Sequence, residues 1–124
     1  IVLAHSQGGP FAYRVAQARP DKVKALVLVE PAGTGDTDKA AALKAIPNVS
    51  IYGDFIAQDA RWPTIKANNL KFHDAIRAAG GKPEVIDLPA IGIQGNSHMI
   101  MMDKNNLEVA AVIQKWLVGQ GLVR

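Results

Sequence analysis

Ala25-Leu26-Val27-Leu28-Val29 is a five-residue aliphatic run without a polar break. It is far too short to cross a bilayer, which takes about 20 apolar residues. An uninterrupted run of this length, rich in β-branched residues, fits a strand buried on both faces, and such strands occur almost only in parallel sheets covered by helices on either side. The run extends back to Val23 and stops at Glu30-Pro31.

The rest of the chain repeats that logic. Residues 1–4 form a short apolar run broken by Gly8-Gly9, and Pro10 then suits the first turn of a helix, where a missing N–H costs nothing. Phe11, Val15 and Ala18 follow at helical spacing, and Arg19-Pro20 ends the segment. Residues 31–35 carry loop chemistry, and an Asp at 36 or 38 can cap a short helix to about residue 46. Residues 49–52 are the next expected strand. A helix is expected over 64–79, with Ile65, Leu70, Phe72 and Ile76 as its apolar side and Gly80-Gly81 as its stop. Residues 84–88 read as a fourth strand, 89–97 as a glycine-containing loop, and 105–118 as a last helix with Leu107, Val109, Val112, Ile113 and Trp116 facing inward. Strand followed by helix, four times over, predicts an α/β fold: a parallel sheet in a three-layer α/β/α arrangement with right-handed crossovers. Ligands in such sheets bind beyond the carboxyl ends of the strands, where Ser6, Glu30, Asp54 and His98 all fall.

Composition narrows the function classes. The chain has 124 residues, enough for one small domain, with a net charge of +3 from 14 basic and 11 acidic residues and no long basic run. A nucleic-acid footprint would need basic residues gathered on one face, so no nucleic-acid partner is expected. There is no cysteine, which removes disulfides and thiolate metal sites, and no metal-ligand cluster or phosphate loop is present. The chain opens within an expected strand and without Met; the expectation is the C-terminal half of a single domain whose N-terminal half is missing. Localisation stays open for the same reason.

The chemistry-bearing motif is Ala4-His5-Ser6-Gln7-Gly8, between a strand and a helix. It matches the nucleophile elbow G-x-S-x-G with Ala in the first position. The chain reverses so sharply there that large side chains two positions either side of the serine would collide. Such a turn holds Ser6 Oγ above the sheet and points the Gln7 N–H where an oxyanion would form. A plain strand-to-helix turn with a capping serine is the bland alternative; the strand before and the Gly-Pro helix start after favour the elbow. A serine nucleophile needs a neutral imidazole to take its proton. Of the three histidines, His98 has the loop placement and the chain order, serine first and histidine last. His5 is expected to point away from the serine and serve packing, and His73 to lie on a solvated helix face. For the carboxylate that orients the imidazole, Asp54 and Glu30 both end strands, and the residues alone leave the two even.

Ala4-His5-Ser6-Gln7-Gly8-Gly9-Pro10, then Ala25 to Pro31, then Gly95-Asn96-Ser97-His98-Met99 with Asp103 and Asn105-Asn106, resemble a small group of bacterial carboxylesterases of the α/β-hydrolase superfamily. The resemblance covers the whole chain. It implies Ser6, Glu30 and His98 as the triad, the acid being a glutamate on the strand after the nucleophile helix, with Asp54 as runner-up. It also implies a small-molecule ester substrate, an acyl-enzyme intermediate and no cofactor, and it fits a secreted or periplasmic setting. A lipase, thioesterase, acyltransferase or cofactor-free perhydrolase would use the same residues, whereas a dehalogenase or epoxide hydrolase of this fold would need Asp at position 6. Met99, Phe55 and Trp62 are candidates to line a substrate pocket, with core packing as the alternative for each. A truncated or non-catalytic fragment is the competing class, and an exposed first strand would favour self-association.

Overall fold

A computed structural model describes residues 1–124. It contains four strands, β1 (Val2–His5), β2 (Leu26–Val29), β3 (Asn48–Tyr52) and β4 (Glu84–Asp87), and three α-helices, α1 (Gly8–Ala18), α2 (Trp62–Ala78) and α3 (Asn106–Gly119). The strands form one parallel sheet in the order β1-β2-β3-β4, with Val2 opposite Leu26, Leu26 opposite Asn48 and Val49 opposite Glu84. This is the expected α/β architecture. One connection differs: between β2 and β3 the chain makes a 3₁₀ segment, Thr37–Leu43, kinked at Lys39 and capped by Asp36, whose carboxylate accepts from Asp38 N–H. No helix is long and apolar enough to cross a membrane.

A sheet laid down in one direction with crossovers of one hand keeps successive connections on the same face. Accordingly α1, the 3₁₀ segment and α2 share one face, where Leu26 and Leu28 meet Ala12, Tyr13, Leu43, Phe72 and Ile76. The alternate residues of β2, Val27 and Val29, pack on the other face with Val49, Ile51, Val109 and Trp116 of β3 and α3. All residues of β2 and β3 are buried, so the uninterrupted apolar run serves both layers. A fully buried Leu or Val of this kind contributes about 1.5–3 kcal/mol. The outer strands are less covered. Leu3 of β1 is 59% exposed, leaving an open edge and an apolar side chain on the α3 face.

Two apolar stripes differ from expectation. In α3, Val109, Val112, Ile113 and Trp116 lie at i, i+3, i+4 and i+7 and turn inward, but Leu107 is 81% exposed. Two residues before Val109 is about 200° around a helix, off that stripe. In α2, Leu70 is on the outside and the buried register is Asn69, Phe72, His73 and Ile76. The helix also starts earlier than residue 64, because Asp59 Oδ1 accepts from the N–H groups of Arg61 and Trp62 (2.8 and 3.1 Å) and Pro63 fills the first turn.

His73 is therefore a core residue, not a solvated one. Its Nε2 lies 3.2 Å from Ser50 Oγ and 3.4 Å from the Tyr13 hydroxyl, which accepts from Asn69 Nδ2 at 3.0 Å. Tyr52 donates to Asn69 Oδ1 at 2.7 Å, so three elements, α1, β3 and α2, are joined by one buried polar network. His73 Nδ1 has no partner, and burial, with the nearby Arg77 charge, lowers the ring's pKa from 6.5 to about 4. Between those values the unfolded chain holds a proton that the folded chain refuses, so stability falls as pH drops through that window. From pH 7 to pH 4 the native chain should lose about 3 kcal/mol of unfolding free energy relative to His73→Gln, measured by urea denaturation at each pH. Parallel losses in the two chains would show that His73 is protonated in the fold without penalty.

Candidate active site

The turn from β1 into α1 holds Ser6 at φ +52°, a left-handed conformation that costs a residue other than glycine about 1–2 kcal/mol. Its backbone is fastened on three sides. Ser6 N–H donates to Val29 O (3.1 Å), and its carbonyl accepts from Gly9 N–H and Ala32 N–H (2.9 Å each). The residues around it pack closely: a Cβ on Gly8 would stand 3.3 Å from that of Ala4, tighter than ordinary contact. Gln7 occupies the N-cap position just before α1 and is exposed.

Glu30, directly after β2, is left-handed as well, at φ +43°. Its N–H is held by Ile51 O at 2.9 Å. Its carboxylate is fully buried, with Oε2 accepting from Gly53 N–H at 2.8 Å and Oε1 accepting from His98 Nδ1–H at 2.7 Å. His98 Nε2 in turn lies 2.8 Å from Ser6 Oγ. With Nδ1 donating to a carboxylate, Nε2 is the free acceptor, and the Ser6 hydroxyl can donate to it. Burial raises the Glu30 pKa above the usual carboxylate range, and the Gly53 N–H and His98 pull it back only in part. The line Ser6–His98–Glu30 can draw a proton from the hydroxyl and stabilise the resulting imidazolium.

Asp54 takes a different position. Its Oδ2 and Oδ1 accept from the N–H groups of Gly95 and Asn96 (3.0 and 2.8 Å). Desolvation works against its charge, but those two N–H groups prevail and hold its pKa below the ordinary value. Asp54 thus anchors the loop that carries His98 without reaching the imidazole ring. Fully buried Asn96 continues the anchor. Its Nδ2 donates to Asp103 Oδ2 (3.1 Å) and Asn105 Oδ1 (2.7 Å), and its Oδ1 accepts from Asn105 Nδ2 (3.1 Å). Asp103 also accepts from Ser97 N–H and Ser97 Oγ–H at 2.8 and 2.7 Å. The motif reading quoted Asn96, Asp103 and Asn105 without giving them this work. The signal was the density of Asn, Asp and Ser on either side of a histidine in a loop that must be rigid.

His98 is flanked by two rings, His5 at 4.6 Å and Trp62 at 4.4 Å between centroids. His5 also donates from Nε2 to the His98 carbonyl at 2.7 Å, so it packs against the histidine loop, as its orientation in the elbow suggested. A depression of about 220 Å³ beside His98 is lined by Phe55, Ile56, Asp59, Trp62 and Ser97. Phe55 and Trp62 line this depression. Met99 does not: it is half exposed outside the depression, its N–H bonded to Ser97 Oγ at 3.1 Å. A larger cleft of about 510 Å³, past β3 and β4, contains Asp54 and the Lys66–Asp87 pair but none of Ser6, Glu30 or His98. No group of three His, Cys, Asp or Glu side chains is disposed to hold a metal.

No family model matches the chain. A probable secreted lipase, phiG, from a fungal species (strain ATCC 74256) is 30% identical over 166 aligned residues, covering 96% of this chain and 46% of that protein. The solved structure of a bacterial esterase superimposes with a TM-score of 0.89 at 39% identity, covering 98% of this chain and 38% of that one. The chain has the α/β-hydrolase fold. It spans less than half the length of either relative. Within that fold the loop after β4 returns His98 to the turn between β1 and α1, against Ser6.

The anchor of that loop yields a stability test. Asn96→Ala removes three side-chain hydrogen bonds, one to Asp103 and two with Asn105, and should cost about 2–3 kcal/mol by urea denaturation. Asn96→Asp, which sets a second carboxylate against Asp103, should cost more. Wild-type stability in both variants would mean that the cage bears no load.

Proposed function

We propose that this chain carries the reacting centre of a carboxylic-ester hydrolase that works through an acyl-enzyme. The supporting observation is the unbroken hydrogen-bonded line from Ser6 Oγ through both nitrogens of His98 to Glu30. Ser6 attacks the ester carbonyl carbon as His98 Nε2 takes its proton. The tetrahedral intermediate collapses, His98 returns the proton to the departing alcohol oxygen, and an acyl ester on Ser6 remains. Water activated by the same nitrogen then releases the acid. The Gln7 N–H supplies one oxyanion donor. The names of the relatives, a lipase and an esterase, favour ester substrates.

We propose further that the chain is the C-terminal half of its domain. The open edge of β1 and exposed Leu3 offer a place for another strand, and the relatives have the length to supply one. The second oxyanion donor would come from that region, so a form extended upstream should hydrolyse esters faster than residues 1–124 alone. Self-association through the same edge is the expected behaviour of the chain by itself.

Three substitutions test the assignment in the extended form. A fluorophosphonate probe should label Ser6, and Ser6→Ala should abolish labelling and lower ester turnover by about 10⁴–10⁶. Labelling that survives Ser6→Ala would refute the nucleophile. Glu30→Gln should lower kcat by up to about 10⁴. The physical reason is local: the Gly53 N–H demands the amide oxygen, which turns the amide –NH₂ towards Nδ1 and forces the imidazole proton onto Nε2. Asp54→Asn retains the His98–Glu30 bond and should lose much less. The reverse ranking would move the acid to Asp54.

A further inference from the structure

The depression beside His98 carries a charge that the proposed reaction leaves unused. Asp59 lies on its wall with Phe55, Ile56, Trp62, Ser97 and His98. Asp59 Oδ1 is engaged by the N–H groups of Arg61 and Trp62, while Oδ2 has no hydrogen-bond partner in the chain and no Lys or Arg nitrogen lies within ion-pair distance of it. No lysine or arginine lines the depression. Phe55 is half exposed on this wall, while Trp62 is buried against the His98 ring. The buried Glu30 carboxylate behind His98 has the same sign as Asp59. A concave wall with a half-exposed aromatic ring and a carboxylate outside any ion pair is the chemistry that selects an organic cation, through the Phe55 ring and the charge together.

We infer that this depression is a subsite for a positively charged group on the alcohol portion of the ester. This rests on the proposed roles of Ser6 and His98, because position follows from mechanism. The alcohol oxygen receives its proton from His98 Nε2, so the leaving group departs past His98. The depression borders His98 and Ser97 and does not include Ser6. An ester whose alcohol portion carries a quaternary or protonated amine is the fitting class of ligand.

The test compares choline with its uncharged carbon isostere, dimethylbutanol, each titrated into the 124-residue chain and followed at the two indole N–H resonances. Trp116, whose Nε1 bonds Glu84 at 3.0 Å, serves as the internal control. Choline should shift Trp62 saturably, leave Trp116 in place and bind about three- to thirtyfold tighter than the isostere. Asp59→Asn, a substitution that preserves the helix cap, should erase the preference. Phe55→Leu should reduce it. Equal affinity for the two alcohols, a preference that survives Asp59→Asn, or no response of Trp62 to choline would each overturn the subsite. Fluorophosphonate labelling separates this outcome from the fate of the triad: labelling at Ser6 without a choline preference removes only the subsite, and a choline preference without labelling removes only the triad.

Discussion

The 2.7 Å hydrogen bond from His98 Nδ1 to a fully buried Glu30 asks a great deal of the surrounding chain. An ionised carboxylate with no exposure is costly to keep unless its lone pairs are met. Here the Gly53 N–H meets one oxygen and the imidazole the other. A Cβ at position 53 would stand 2.8 Å from the Asn96 Cβ and 3.4 Å from Glu30 Oε2, so the absence of a side chain lets β3, Glu30 and the histidine loop converge. Both left-handed residues other than glycine, Ser6 and Glu30, stand at the ends of this arrangement. Their strain is sustained by bonds between neighbouring strand ends, from Ser6 to Val29 and Ala32 and from Glu30 to Ile51. Sheet pairing and site geometry are therefore one set of interactions: disturbing the β1–β2 or β2–β3 register would move Ser6 and Glu30 with it.

Rigidity of the third participant comes from another source. His98 is on a loop, where positional precision is hardest to maintain. The chain compensates with carboxylates and amides in place of regular structure: Asp54 holds Gly95 and Asn96, Asp103 holds Ser97, and Asn105 pairs with Asn96. Two carboxylates with similar places at strand ends thus do different work. Glu30 follows β2, the immediate neighbour of β1, about 4.8 Å away across the ladder. Asp54 follows β3, one strand further out, and turns to the loop backbone.

Much of this was legible in the residues. The run at 25–29 announced a strand covered on both sides, and the small residues around Ser6 announced the elbow. The nucleophile and histidine candidates followed from turn chemistry and chain order. The choice between Glu30 and Asp54 did not, since two acids at strand ends look alike until the order of strands in the sheet is known. The polar core was also hidden. A search for apolar residues at helical spacing takes Leu70 as buried and His73 as solvated, when the inward register of α2 is set by Tyr13, Ser50 and Tyr52, which offer hydrogen bonds to Asn69 and His73 across 60 residues or fewer of sequence. Leu107 misled for a simpler reason: it is apolar but out of phase with the stripe that follows it.

The most direct measurement of the central claim is the protonation pattern of the His98 ring by ¹⁵N NMR, which needs neither substrate nor turnover. The account predicts a strongly downfield Nδ1–H and an unprotonated Nε2 at neutral pH. Glu30→Gln should remove the downfield proton and shift the tautomer to Nε2–H. A His98 ring already protonated on Nε2 in the native chain, or an Nδ1–H unchanged by Glu30→Gln, would contradict it.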